Sequence, residues 1–189
     1  MPTYKILEAN GYIVIDTGTH IAMLDTGCPC TIHDPRKIGA GTVRHVGQPV
    51  NEILGNDQLR GHYVLVDFLK KEVSISETPI QLEGIKIPFK PRGEGHWVLP
   101  AKVNGADKTV VFDTGAPISY VDTDWVRGQE PFATESDYSP DPAVGDFESK
   151  AYRVPMEFAG ETFEAKLNVP SDVRVLDHYR RVGALGVIG

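Results

Sequence analysis

The chain has 189 residues, 41% of them apolar and 24% charged, and a net charge of −7 at neutral pH. That length suits one domain or two small lobes around a sizeable core, and the acidic balance argues against nucleic-acid binding. No apolar run is long enough to span a membrane, residues 1–11 show no basic segment followed by an apolar one, and Cys28 and Cys30 are too close in sequence for a good disulfide, so a cytoplasmic protein is expected.

Short apolar or alternating runs, punctuated by Gly, Pro, Asn and Asp, predict a mainly β protein. In chain order the expected strands are Tyr12–Ile15, Ile21–Leu24, Tyr63–Phe68, Glu72–Ser76, Trp97–Val103, Thr109–Phe112, Lys150–Phe158 and Thr162–Val169. Hairpin turns are expected at Asn104-Gly105 and at Ala159-Gly160-Glu161, and a short helical turn is expected at Asp122–Val126. The stretch Gln81–Gly95, with Pro88, Pro91 and several glycines, reads as a connector. The domain boundaries are therefore a first lobe at 1–82, a linker at 83–95 and a second lobe at 96–189. The acidic, Pro-containing stretch Glu130–Ser149 reads as a long exposed loop.

Internal repetition is the strongest organising signal. Leu24-Asp25-Thr26-Gly27-Cys28-Pro29-Cys30-Thr31 and Phe112-Asp113-Thr114-Gly115-Ala116-Pro117-Ile118-Ser119 share one pattern. Each ends an apolar run with Asp-Thr-Gly, then has Pro two residues after the Gly and a hydroxyl residue two further on. Asp25 and Asp113 lie 88 residues apart, and at that offset the preceding hairpin aligns as well, with Asp16-Thr17-Gly18 falling on Asn104-Gly105-Ala106. The register therefore assigns the third Asp-Thr-Gly, at Asp16, to a turn, where Asp and Gly are ordinary. A second pair of motifs follows. Ile53-Leu54-Gly55 comes 30 residues after Asp25, counted to its Gly, and Val187-Ile188-Gly189 comes 76 after Asp113. Two apolar residues and a Gly suit a buried strand passing close to another backbone.

These residues resemble the aspartic peptidases of the pepsin and retropepsin type, in which each lobe supplies an Asp-Thr-Gly loop and a later apolar-apolar-Gly segment. The resemblance implies a bilobal acid-protease fold of double-psi β-barrel architecture with a pseudo-twofold repeat. Asn56–Leu59 and Val64–Ile75 look like the closing helix and hairpin of a retropepsin-like lobe. The chain stops at Gly189 without a second copy of that segment. The interval Thr31–Asn51 is too short for the family's flap, whereas Glu130–Val169 has room, so a single flap from the second half is expected. Tyr138 falls in that stretch, where pepsins carry a flap Tyr.

By the same resemblance Asp25 and Asp113 are the catalytic pair. Two carboxylates about 3 Å apart share a proton, activate water and protonate the leaving amine. Thr26 and Thr114 would link the loops by crossed hydroxyl bonds, and Gly27 and Gly115 would let them approach. Neither cofactor nor metal is required. Cys28 and Ala116 stand where pepsins place a hydroxyl that stabilises the carboxylate, so the pair is expected to titrate higher than in pepsin. Cys28 and Cys30 with His20 and His33 lack the spacing of a structural zinc site, and Thr31 and Ser119 are expected to cap loops. The expected activity is aspartic endopeptidase action on a peptide or unfolded-protein substrate, without nucleic-acid or membrane partners. The alternative is a catalytically inactive retropepsin-like peptide-binding or dimerisation module. A separate expectation is a homodimer in which the second lobe completes itself by pairing an open sheet edge with another copy.

Overall fold

A computed structural model describes the whole chain, residues 1–189. Strand β1 (Thr3–Leu7) leads into the hairpin β2 (Val14–Asp16) and β3 (Ile21–Leu24). Helix α1 (Ala40–Val46) then precedes β4 (Glu52–Leu54), helix α2 (Asn56–Leu59) and the hairpin β5 (Tyr63–Asp67) and β6 (Glu72–Ser76). These strands form one six-stranded sheet in the order β4-β3-β2-β1-β6-β5. The second half contains β7 (Lys90–Arg92), β8 (His96–Val103), β9 (Ala106–Phe112), β10 (Tyr120–Val121), β11 (Ala133–Ser139), β12 (Gly145–Phe158) and β13 (Glu161–Pro170). It ends with helix α3 (Asp177–Arg180) and β14 (Gly186–Ile188). Its eight strands run β11-β12-β13-β10-β14-β9-β8-β7. Met156 of β12 also pairs with Val103 of β8, which closes the sheet on itself.

The two halves repeat one arrangement. In the first, β3 runs antiparallel to β2 and parallel to β4. In the second, β9 runs antiparallel to β8 and parallel to β14. Each motif strand is thus sandwiched between a hairpin partner and a returning parallel strand. Both faces of these strands are buried, which is why they read as continuous apolar runs rather than clean alternations. Val14 and Met23 enter one cluster with Val46 and Ile53, while Ile15, Ala22 and Leu24 enter another with Val73. Likewise Leu99 and Val110 pack into the largest cluster with Trp125 and Val154, whereas Val98 and Val111 face Ala184.

The hairpins form where the turn residues place them. Asn104 and Gly105, at φ 51° and 74°, join Val103 to its partner Ala106. Ala159 and Gly160, at φ 59° and 80°, join Phe158 to Glu161. Two left-handed residues match the twist of antiparallel strands. The short helical turn near Asp122 is also present, as a tight turn at Thr123–Val126 in which the Asp122 carboxylate accepts the Asp124 N–H.

Glu130–Ser149 is not a long exposed loop. It supplies β11 and the start of β12, a hairpin whose turn is residues 140–144. Along β12 the residues Phe147, Ser149 and Ala151 face inward and Asp146, Glu148 and Lys150 outward. With Ser149 and Ala151 small, Phe147 is the one large inward residue among charged outward ones, too little to show the period-two pattern. The connector is also shorter than 83–95, because Lys90–Arg92 pairs with His96–Val98 as an edge strand of the second sheet, a position where Pro91 costs no ladder bond. Strand β1, helix α1 and helix α3 were not anticipated. Helix α1 buries only Val46, so it carries no helical apolar period, and it ends at Gly47 with φ 73°. No helix is long and apolar enough to cross a membrane.

Candidate active site

Asp25 and Asp113 sit at the C-terminal ends of β3 and β9. Each backbone is held by the end of its parallel neighbour: the Asp25 N–H donates to the Leu54 carbonyl at 3.0 Å and the Asp113 N–H to the Ile188 carbonyl at 2.8 Å. The chain then turns tightly, with Cys28 N–H on the Asp25 carbonyl and Ala116 N–H on the Asp113 carbonyl, both at 3.2 Å. The two turns face each other. A Cβ on Gly27 would fall inside the Asp113 carboxyl, and one on Gly115 would fall inside that of Asp25. This close approach is what requires glycine at both positions.

Crossed hydrogen bonds lock the turns together. The Thr26 hydroxyl donates to the Phe112 carbonyl at 2.9 Å and accepts the Thr114 N–H at 3.0 Å. The Thr114 hydroxyl donates to the Leu24 carbonyl at 2.9 Å and accepts the Thr26 N–H at 3.1 Å. The carboxyls themselves meet at one donor. Gly27 N–H reaches Asp25 Oδ1 at 2.9 Å and Asp113 Oδ1 at 3.0 Å. Cys28 N–H adds a bond to Asp25 Oδ1 at 2.9 Å, and Gly115 N–H one to Asp113 Oδ1 at 2.8 Å. Asp113 is buried at 4% exposure. Burial raises the Asp25 carboxyl well above the ordinary range, and the charge and hydrogen bond of Asp113 raise it further. The N–H groups of Cys28 and Gly27 oppose that shift.

The remaining sequence candidates fall into place around this centre. Asp16 lies at an exposed hairpin tip, where its Oδ1 accepts the Gly18 N–H at 2.8 Å. Thr31 and Ser119 hold the returning segments, their hydroxyls accepting the N–H groups of Gly55 at 3.0 Å and Gly189 at 3.2 Å. Cys28 gives its thiol to the Cys30 carbonyl at 3.0 Å, and burial followed by the nearby Asp25 charge pushes that thiol up to about 11. His33 bonds Glu52 at 2.7 Å. The cysteines and histidines do not gather into a group of metal-ligating side chains.

A cleft of about 360 Å³ opens over the carboxyls, with Tyr12, Met23, Ile53 and Phe147 among its walls. The hairpin β11–β12 covers one side and rests on α1. Tyr138 stacks on His45 with ring centroids 5.0 Å apart, and its ring fills the space a side chain at Gly41 would need. Asp146 is bound by Arg44 at 2.7 Å and by His45 at 3.1 Å. Tyr138 is therefore a docking residue of the hairpin against the other half.

Sequence reasoning missed the third side chain at the centre. Tyr179, on α3, donates its hydroxyl to Asp113 Oδ2 at 2.6 Å. Burial and the Asp113 charge hold the phenol protonated. Its neighbour His178 bonds the buried His96 at 2.8 Å. The run Asp177-His178-Tyr179-Arg180-Arg181 reads as a solvated polar segment, and nothing in its pattern marks one inward aromatic. Compared with known protein families and with curated proteins, the sequence matches none.

Proposed function

We propose that the protein is an aspartic endopeptidase of pepsin or retropepsin type, built on a bilobal, pseudo-twofold double-psi β scaffold. The observation that carries this reading is the single Gly27 N–H bridging the inner oxygens of Asp25 and Asp113 across crossed threonine bonds. A structural turn has no need of two facing carboxyls, one buried and one half-buried, since bringing them out of water costs free energy. The repeat of parallel-strand anchors behind both turns supports the bilobal fold.

In this reading the pair holds one proton. The ionised member takes a proton from a water lodged between the outer oxygens, and the resulting hydroxide adds to the scissile carbonyl carbon. The protonated member donates to the carbonyl oxygen, giving a neutral gem-diol. Collapse of the diol breaks the C–N bond as a proton passes to the leaving amine, and the pair regains its single proton. An extended peptide lies along the cleft beneath the β11–β12 flap, its backbone held as an added strand. The raised Asp25 carboxyl favours activity toward neutral pH, in keeping with the cytoplasmic setting we propose.

A statine-type inhibitor, whose hydroxyl mimics the diol, tests the proposal. It is expected to stop cleavage of an unfolded protein substrate and to stabilise the fold by about 2.7 kcal/mol at a hundredfold excess over its dissociation constant. A protein that neither cleaves nor responds to the inhibitor contradicts the peptidase reading.

A further inference from the structure

The two carboxyls are not equivalent. Asp25 accepts its two backbone bonds, from Gly27 and Cys28, at one oxygen, Oδ1. Asp113 accepts at both oxygens: Gly27 and Gly115 N–H at Oδ1, and the Tyr179 hydroxyl at Oδ2. Resting protonation of Asp113 Oδ2 would weaken the charge-assisted bond it accepts from the Tyr179 hydroxyl, whereas Asp25 Oδ2 accepts no such donor. Hydrogen bonds to an ionised carboxyl favour the ionised form. We infer that Tyr179 polarises the pair, keeping Asp113 as the ionised base and leaving the shared proton on Asp25.

The position of Tyr179 is built rather than incidental. Its carbonyl accepts the N–H groups of Val182 and Ala184, both at 3.1 Å, which fixes the backbone of the turn after α3. The next residue, Arg180, ties α3 to Asp122 at 2.9 Å and to Asp177 at 2.8 Å. On the other side His178 grips His96 on β8, and His96 lies edge-on to the Tyr179 ring at 6.5 Å between centroids. Three elements thus set one hydroxyl on one carboxylate oxygen. The other titratable groups around the pair are Tyr12 from the first half, Cys28 beside Asp25, Tyr120 on β10, Asp137 and Tyr138 on β11, Asp141 in the hairpin turn, Arg174, which pairs with Asp172, and His96 and His178. Asp137 takes the Tyr120 hydroxyl at 2.5 Å and so has its own donor. Tyr179 acts through Asp113 and is a positioning residue.

The kinetic consequence rests on the peptidase reading, but the protonation pattern does not. Aspartate labelled with 13C at the carboxyl, assigned with Asp25→Asn and Asp113→Asn, reports the protonation state of each group directly. In the wild type, over the range where the pair holds one proton, the Asp113 carbon is expected at the ionised position and the Asp25 carbon at the protonated one. The reverse pattern, or equal sharing, overturns the inference without any variant of Tyr179 having to fold. In Tyr179→Phe the Asp113 preference is expected to disappear, and the first proton loss from the pair to move up by about one pH unit, a tenfold change in proton affinity. The sign follows because the lost donor stabilised the singly ionised pair relative to the fully protonated one. The acid limb of kcat/KM should shift up with it while the alkaline limb stays, a split that loosened packing would not produce. A first step that does not move in Tyr179→Phe overturns the inference. Absence of cleavage by the wild type with the protonation pattern intact removes the peptidase reading and leaves the role of Tyr179 standing.

Discussion

Thr114→Val removes one hydroxyl at nearly constant shape and so isolates the crossed bonds that hold the two halves in register. Two groups lose their partner: the Thr26 N–H, bonded at 3.1 Å, and the Leu24 carbonyl, bonded at 2.9 Å. Both residues are buried, at 3% and 2% exposure, so water cannot readily replace the hydroxyl. The Thr114 N–H keeps its bond to Thr26 Oγ1. Each unsatisfied buried group costs about 1–3 kcal/mol, and part of that is recovered by small backbone shifts, so a net loss of about 3 kcal/mol is expected. For a chain of this length that lowers the melting temperature by about 6–12 °C. Urea unfolding at fixed pH, fitted for midpoint and slope, is the assay. Thr17→Val is the control: the Thr17 hydroxyl bonds the His20 carbonyl at 3.1 Å at an exposed hairpin tip, and its loss should change stability by less than about 0.5 kcal/mol. If Thr114→Val costs no more than Thr17→Val, the crossed hydroxyls do not couple the halves. Because unfolding is the readout, the result stands whether or not the protein cleaves peptides.

Other perturbations follow from the same geometry. Gly27→Ala puts a methyl inside the Asp113 carboxyl and is expected to abolish cleavage and, by uncoupling the carboxyls, to bring their two titrations closer together; unchanged titrations would refute the close approach. Gly41→Val drives a side chain into the Tyr138 ring and should speed amide exchange along 139–146, with little change elsewhere, because the ion pair of Arg44 and Asp146 is 64% and 66% exposed and adds little. Exchange no faster than in the wild type would show that Tyr138 does not hold the hairpin down. His96 is buried, and burial, reinforced by His178, lowers its proton affinity. Below the ordinary histidine value of about 6.5 the unfolded chain therefore binds more protons than the folded one, and stability should fall as pH drops below that value. His96→Gln should flatten this slope in urea unfolding between about pH 7.5 and 5.5, and a slope identical in both proteins contradicts it. Iodoacetamide near pH 8 should modify the exposed Cys30 well before Cys28, whose thiol is pushed up to about 11; equal rates would refute the placement of Cys28.

What was legible beforehand was whatever a short local pattern encodes. The repeat at Asp25 and Asp113 located both loops, because Asp-Thr-Gly at the end of a buried strand is visible in eight residues, and the 88-residue register separated Asp16 from them. The turns at Asn104-Gly105 and Ala159-Gly160 were legible because left-handed backbone selects few residue types. The β11–β12 hairpin was masked because only Phe147 among its inward positions near the turn is large, Ser149 and Ala151 being small, while Asp146, Glu148 and Lys150 between them are charged. Strand β7 was masked by Pro91, which is tolerated only because that strand is an edge. Helix α1 was too short and too exposed to show a period. Tyr179 was illegible for a different reason: its partner Asp113 lies 66 residues away, so its role exists only once β14 carries the chain back beside β9.

The most direct measurement is cleavage of an unfolded protein by the wild type, Asp25→Asn and Asp113→Asn, each first shown to unfold cooperatively. The account predicts cleavage by the wild type and a loss of about 10²–10⁴-fold or more in either variant, since each removes one member of a pair that works as a unit. Equal cleavage by all three proteins, or none by the folded wild type, contradicts it.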